Sequence, residues 1–266
     1  LPSLTINGGT GDDQVNMNGD ITFVANANLD LDLQDDDANS GNDILIFSND
    51  ANILLSGTGT ATLKASQSIY FGSGSSLVTT NGTMLIEANQ QSTPTAGNFK
   101  GVEVSGTLNT TGGGITIKGK GGNNASNFQT GVRINGPLLA TSGNITIEGT
   151  GGAGTANDNY GIEVSSTGTV GTGNGGILLT GMGGGSGASQ NNEGVRVRGA
   201  ISSTRNSPSS TSITLLGTGG NTTGSGNNGV RIADGSLFTN SPILITGIAG
   251  NSTADDITIL SGTINA

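Results

Sequence analysis

The sequence predicts an all-β fold, a right-handed parallel β-helix with about 30 residues per coil and three short strands in each coil. Three observations carry that prediction. A segment recurs at a nearly constant interval, apolar and polar residues alternate within it, and charges fall into register from copy to copy.

The recurring segment begins at Met84, Ile115, Ile145, Ile177, Ile213 and Ile243, in steps of 31, 30, 32, 36 and 30 residues. A period of this length marks stacked units, each too thin to bury its apolar face without its neighbours. Within ITIKG, Ile115 and Ile117 are two apart, with Thr116 between them and Lys118 after, the alternation of a strand with one buried face. A helix needs apolar spacings of three and four. Gly119, Gly149, Gly181, Gly217 and Gly247 close these strands and are expected to turn corners, where a residue free to adopt positive φ is needed.

A second apolar segment follows sixteen or seventeen residues after the first, opening at Gly101, Gly131, Gly161, Gly194 and Gly229 as GVEV, GVRI, GIEV, GVRV and GVRI. A third and weaker one comes next, at residues 108–110, 138–140, 200–202 and 237–239. Right-handedness follows the general rule for parallel crossovers. The first eighty residues repeat this logic less regularly, with strand-like runs at 21–24, 29–33, 43–47, 53–55, 61–64 and 69–71, and a last run spans 257–265. Roughly eight or nine coils fit, which at about 4.8 Å per rung gives a rod about 40 Å long.

Stacked coils place Glu103, Arg133, Glu163, Arg196 and Arg231 in one outward column, with alternating signs over the first four. The first-strand column likewise opens with Glu87, Lys118 and Glu148. Each exposed pair contributes roughly 0.2 to 1 kcal/mol, too little to drive folding but enough to penalise a slipped register.

One elongated domain, residues 1–266, is the expected organisation, because a solenoid grows by adding coils. Residues 1–83 read as acidic plain coils. Residues 84–266 read as regular coils with a Gly/Asn/Ser loop between first and second strands, at 89–100, 120–130, 150–160, 182–193 and 218–228. Insertions at the same place in every coil line up as one ridge. Asn98, Asn127, Asn159, Asn192 and Asn228 stand shortly before the second segment, either as a hydrogen-bonded amide ladder or as turn residues that tolerate positive φ.

Hydrophobic residues make up only 32% of the chain, low for a compact globule but sufficient for a thin cylinder; 49 glycines serve its turns. The net charge of −10 is uneven: residues 1–63 carry ten Asp and no base, whereas nine acids and nine bases follow from Lys64 onward. An acidic third argues against nucleic acid or an anionic membrane as a partner. With no cysteine there is no disulfide or thiolate site, and no apolar run is long enough for a membrane span. No polar cap sequence is visible at either end, so a further coil is expected to stack there.

Residues 8–16 read GGTGDDQVN and fit the calcium-binding nonapeptide G-G-x-G-x-D-x-U-x, and residues 41–45 echo it with Asp43 in the place of Asp13. Calcium rolls share each ion between consecutive nonapeptides, and one full copy is present. Asp12, Asp13 and Asp43 are thus calcium candidates against a simple turn, and no metal or cofactor site is assigned. Pectin-degrading enzymes set a catalytic precedent on this scaffold, using clustered carboxylates. Here His is absent, the pairs Asp12-Asp13 and Asp255-Asp256 sit at opposite ends, and Asp35-Asp36-Asp37 has no basic neighbour, so the chain is expected not to be an enzyme. Phe99, Phe128 and Tyr160 could form a sugar platform or cover the base of the ridge. Asn-x-Ser/Thr triplets at Asn81, Asn109, Asn124, Asn144, Asn221 and Asn251 could carry surface glycans.

The order ITIxG, GGxxGxxNNxG, GVxVxG and a short Thr-rich stretch, clearest at residues 145–164 and extending over roughly 84–266, resembles the tandem repeats of filamentous-haemagglutinin-like β-helical exoproteins and adhesins of bacteria. That resemblance implies a rod, fibre or adhesin outside the cell or on its surface. The secretion and haemagglutination domains of that family have no counterpart in these residues. The expected function is a structural rod segment of an extracellular fibre or adhesin extending by end-to-end coil stacking, with itself as partner and glycans as further ligands. A polysaccharide-binding or polysaccharide-cleaving β-helix is the alternative.

Overall fold

A computed structural model describes residues 1–34, 41–205, 207, 210–251 and 253–266, so Asp35-Asp36-Asp37 lies outside the described residues. The fold is a parallel β-helix. Nine first strands, from Leu4–Asn7 to Ile243–Ile248, pair in parallel as one sheet. The second and third strands of the coils form two further parallel columns. These columns merge into one sixteen-stranded sheet because Val230–Thr239 occupies both positions as one continuous strand, with a bulge at 232–235 where Asp234 has φ 66°. Ile257–Asn265 lies against that long strand as the last rung. No helix among the described residues is long and apolar enough to cross a membrane.

The period of thirty is the length of one coil, and the interior shows why it persists. Ile115, Ile145, Ile177 and Ile213 stack in one inward row, and Ile86, Ile117, Ile147, Leu179 and Leu215 in the next, all buried. Each such side chain contributes roughly 1.5 to 3 kcal/mol by leaving water, so a one-residue slip that turned a row outward would be prohibitive. Phe47 and Phe71 stack within another row, with centroids 4.4 Å apart. In the coils from Val104 onward that row continues with Val and Ile.

Strands Leu4–Asn7, Gln14–Met17, Ser76–Thr79 and Thr169–Thr172 lie outside the expected runs; Thr169–Thr172 offers one large apolar residue, Val170, and the others two each in four residues. The third column instead ends on buried hydroxyls: Thr79, Thr110, Thr172, Ser203 and Thr239, interrupted by Ala140. These hydroxyls hold the turn into the next coil. Thr110 accepts from the Gly113 N–H at 3.1 Å, and Thr172 from that of Gly175 at 3.1 Å.

The glycines that close the first strands do not turn corners. Strand Ile115–Lys120 continues through Gly119, and none of Gly119, Gly149, Gly181, Gly217 and Gly247 has positive φ. They sit in an inward row that tapers from Leu33 through Ala65 and Ala88 to glycine. Glycine is required by close approach: a Cβ on Gly149 would lie 2.2 Å from the carbonyl oxygen of Gly161 on the returning arm of the same coil. The two arms of each loop pack backbone to backbone, and the ridge is a stack of thin fins.

Adjacent fins also touch through glycine. A Cβ on Gly122, Gly152, Gly184, Gly220 or Gly250 would lie 1.8 to 2.1 Å from the carbonyl oxygen of the corresponding glycine one coil before. At the fin's return the backbone turns left-handed, at Phe128 (φ 62°), Asp158 (φ 63°), Asn191 (φ 54°) and Gly226 (φ 74°), and Asn89, Gly97, Gly185 and Gly187 have positive φ elsewhere in the fins.

Candidate functional site

The residue after each left-handed corner is a buried amide: Gln129, Asn159, Asn192 and Asn227. Each does two jobs. Its side-chain N–H groups close its own loop, as Asn159 Nδ2 does on Ala156 O at 2.6 Å and Asn227 Nδ2 on Gly224 O at 2.7 Å. The side-chain oxygen of each Asn accepts the main-chain N–H of the preceding coil's member: Gln129 to Asn159 at 3.2 Å, Asn159 to Asn192 at 3.1 Å and Asn192 to Asn227 at 3.0 Å. The expected amide ladder thus exists with altered membership, since Gln129 and Asn227 replace Asn127 and Asn228, and Asn98 is exposed. Asn127 belongs to a second, exposed line in which it accepts from Asn157 N–H at 2.9 Å and Asn157 accepts from Gln190 N–H at 2.8 Å.

Beside the ladder runs a seam of charge. Glu103, Arg133 and Glu163 pair along their column at 3.7 and 3.0 Å, with Lys100 on Glu103 at 3.1 Å. The alternation then changes, because two buried groups next to the column draw the guanidiniums away. Arg196 donates to the Tyr160 hydroxyl and lies 4.8 Å over its ring, and Arg231 pairs with Glu193 at 2.9 Å. The first-strand column extends further than expected: Asp32, Lys64, Glu87, Lys118 and Glu148 alternate over five rungs, with bridges of 3.2 Å at Asp32–Lys64 and Glu87–Lys118.

Glu193 is fully buried, and one of its carboxylate oxygens has no hydrogen-bond partner. Burial raises its pKa from 4.5 to about 6, against the opposing pull of Arg231 and Arg196. Burial, and then the Glu193 charge, also push the Tyr160 hydroxyl well up. The folded state therefore holds the Glu193 proton more tightly than the unfolded chain does. Its contribution should fall by roughly 2 kcal/mol as pH rises from below 4.5 to above 6. Denaturant titrations across that window should show the loss, and Glu193→Gln, uncharged throughout, should flatten it; an unchanged slope in the variant would contradict the assignment.

The nonapeptide acids come together across two coils. Asp43 is buried and accepts the Asp13 N–H and the Ser66 hydroxyl, each at 2.7 Å, while Asp12 accepts from Asn42 N–H at 2.8 Å. Burial raises the Asp43 pKa, and these two hydrogen bonds oppose the rise. Their carboxylates tie one coil to the next as the ladder amides do. At the far end, Asp256 accepts from Ala249 N–H at 2.7 Å and Asp255 from the Thr258 hydroxyl at 2.9 Å. Among the described residues no three His, Cys, Asp or Glu side chains converge as a metal-binding group. Of the aromatic trio, Tyr160 is buried beneath Arg196, so it offers no open face, and Phe128 is exposed 6.4 Å from it.

The outer face of the first sheet carries a feature that was not anticipated. Its charged column ends at Glu148, and the last three rungs alternate between threonine and an aliphatic side chain in both directions. Leu178, Thr180 and Met182 lie over Thr214, Leu216 and Thr218, which lie over Leu244, Thr246 and Ile248. A groove of about 390 Å³ follows the second and third of these columns up to Glu148. A comparison of the outward residues of successive copies, not only the inward ones, would have found it. No protein-family model matches this chain, and no curated protein matches it.

Proposed function

We propose that this β-helix is a non-catalytic rod segment of an extracellular bacterial fibre or surface adhesin, lengthened by coils stacking on its ends. The observation that carries the reading is the uniform stacking of the coils: first strands pair in parallel at every rung, and the inward rows are buried through the middle of the rod. A repeat of this kind suits continuation by further rungs, from the same polypeptide or a second copy. The carboxylates gathered on the seam are each paired to a cation, which fits a structural role.

Charge favours head-to-tail growth, because two acidic first thirds repel one another. Electron microscopy and light scattering across protein concentration should show particles lengthening in whole-rod steps. Short monodisperse particles at every concentration would count against stacking between copies.

A further inference from the structure

We propose that the groove on the outer face of the first sheet binds a neutral β-linked oligosaccharide laid along the rod axis. This goes beyond the rod reading, which the microscopy above tests separately.

Along the groove the columns Thr180–Leu216–Thr246 and Met182–Thr218–Ile248 run in opposite phase, so each rung presents one hydroxyl and one aliphatic group, exchanged at the next rung. Rungs repeat about every 4.8 Å, close to the rise of one pyranose in a β-1,4-linked chain. In such a chain each sugar is turned by half a revolution about the chain axis relative to the last, so the edge that carries the two secondary hydroxyls and the edge that carries the C5–C6 hydrocarbon exchange sides unit by unit. Threonine hydroxyls donate and accept with the secondary-hydroxyl edges, and Met182, Leu216 and Ile248 meet the C–H groups of the C5–C6 edges.

Charge and size select this occupant. Among the described residues that line the groove Glu148 is the one charged group, so an anionic sugar would be repelled while sugar hydroxyls could donate to its carboxylate. Four rungs by two columns span about 14 by 7 Å, far below the roughly 800 Å² per partner of a stable protein interface. That length holds about three or four sugar units, one per rung.

Calorimetric titration of the full chain with cellohexaose and chitohexaose tests the proposal, with oligogalacturonate and maltohexaose as contrasts. Saturable binding of at least one β-linked probe is expected, about tenfold or more tighter than either contrast. Thr180→Val should weaken it about five- to tenfold by removing one hydrogen bond, and Leu216→Asp, with an unchanged circular dichroism spectrum, should abolish it. No saturable binding of either β-linked probe overturns the proposal. So does equal binding of the anionic probe, or affinity unchanged in both variants. A dimer that forms with concentration and is lost in Leu216→Asp would assign the face to a second copy and overturn it as well.

Discussion

Gly152→Ala should destabilise the rod by about 3 kcal/mol or more, among the largest effects expected of a single methyl group. The added Cβ would lie 1.8 Å from the carbonyl oxygen of Gly122 and 2.8 Å from the Cβ of Gln129, both on the fin one coil before. Neither can yield, because the Gly152 N–H bonds Gln129 O at 2.7 Å and the fins are hydrogen-bonded at each rung. A thermal midpoint lower by about 10 °C is expected, with early amide exchange at residues 120–131 and 150–161. Gly176→Ala is the control: its Cβ would meet nothing closer than 3.8 Å and its φ is ordinary, so the change should be neutral or slightly stabilising. Equal midpoints for the two variants would mean that the fins do not stack at this distance.

Asn192→Ala should cost about 3 kcal/mol. It leaves the buried Asn159 N–H without its acceptor, removes the donor that Ser189 Oγ and Asn227 Oδ1 receive, and opens a cavity at the root of the fin. Asn127→Ala removes an asparagine from the neighbouring line, but an exposed one whose partner can turn to water, so its cost should stay within about 1 kcal/mol. Chemical denaturation of both variants separates the lines. Equal costs would show that burial does not distinguish them.

Those two asparagines show how far the sequence could be read. Coil length, parallel strands, inward rows and outward charge columns were legible because each rests on residue type repeating at one position: Ile115, Ile145 and Ile177 in the interior, Glu103, Arg133 and Glu163 outside. The ladder was legible in kind but not in membership. Grouping by residue identity picked Asn127 and Asn228, whereas the member always stands two residues before the glycine of the second strand, a place filled by Gln129 in one coil. The glycines after the first strands were visible but their purpose was not, since dihedral freedom and close approach leave the same letter. Glu193 was hidden for a different reason: its burial depends on the fin folding over it, which no alternation records. The groove carries few of the acids and aromatics that mark chemistry in a sequence, because its floor is threonine, leucine, isoleucine and methionine.

Because every strand lies across the axis and its hydrogen bonds point along it, a pull on the two ends loads the bonds between the outermost coil and its neighbour first. One coil peeled away frees about thirty residues, roughly 100 Å of slack, while the exposed edge left behind repeats the one just lost. A tether built this way yields in instalments, and each yielded length has a template on which to wind back when the tension drops.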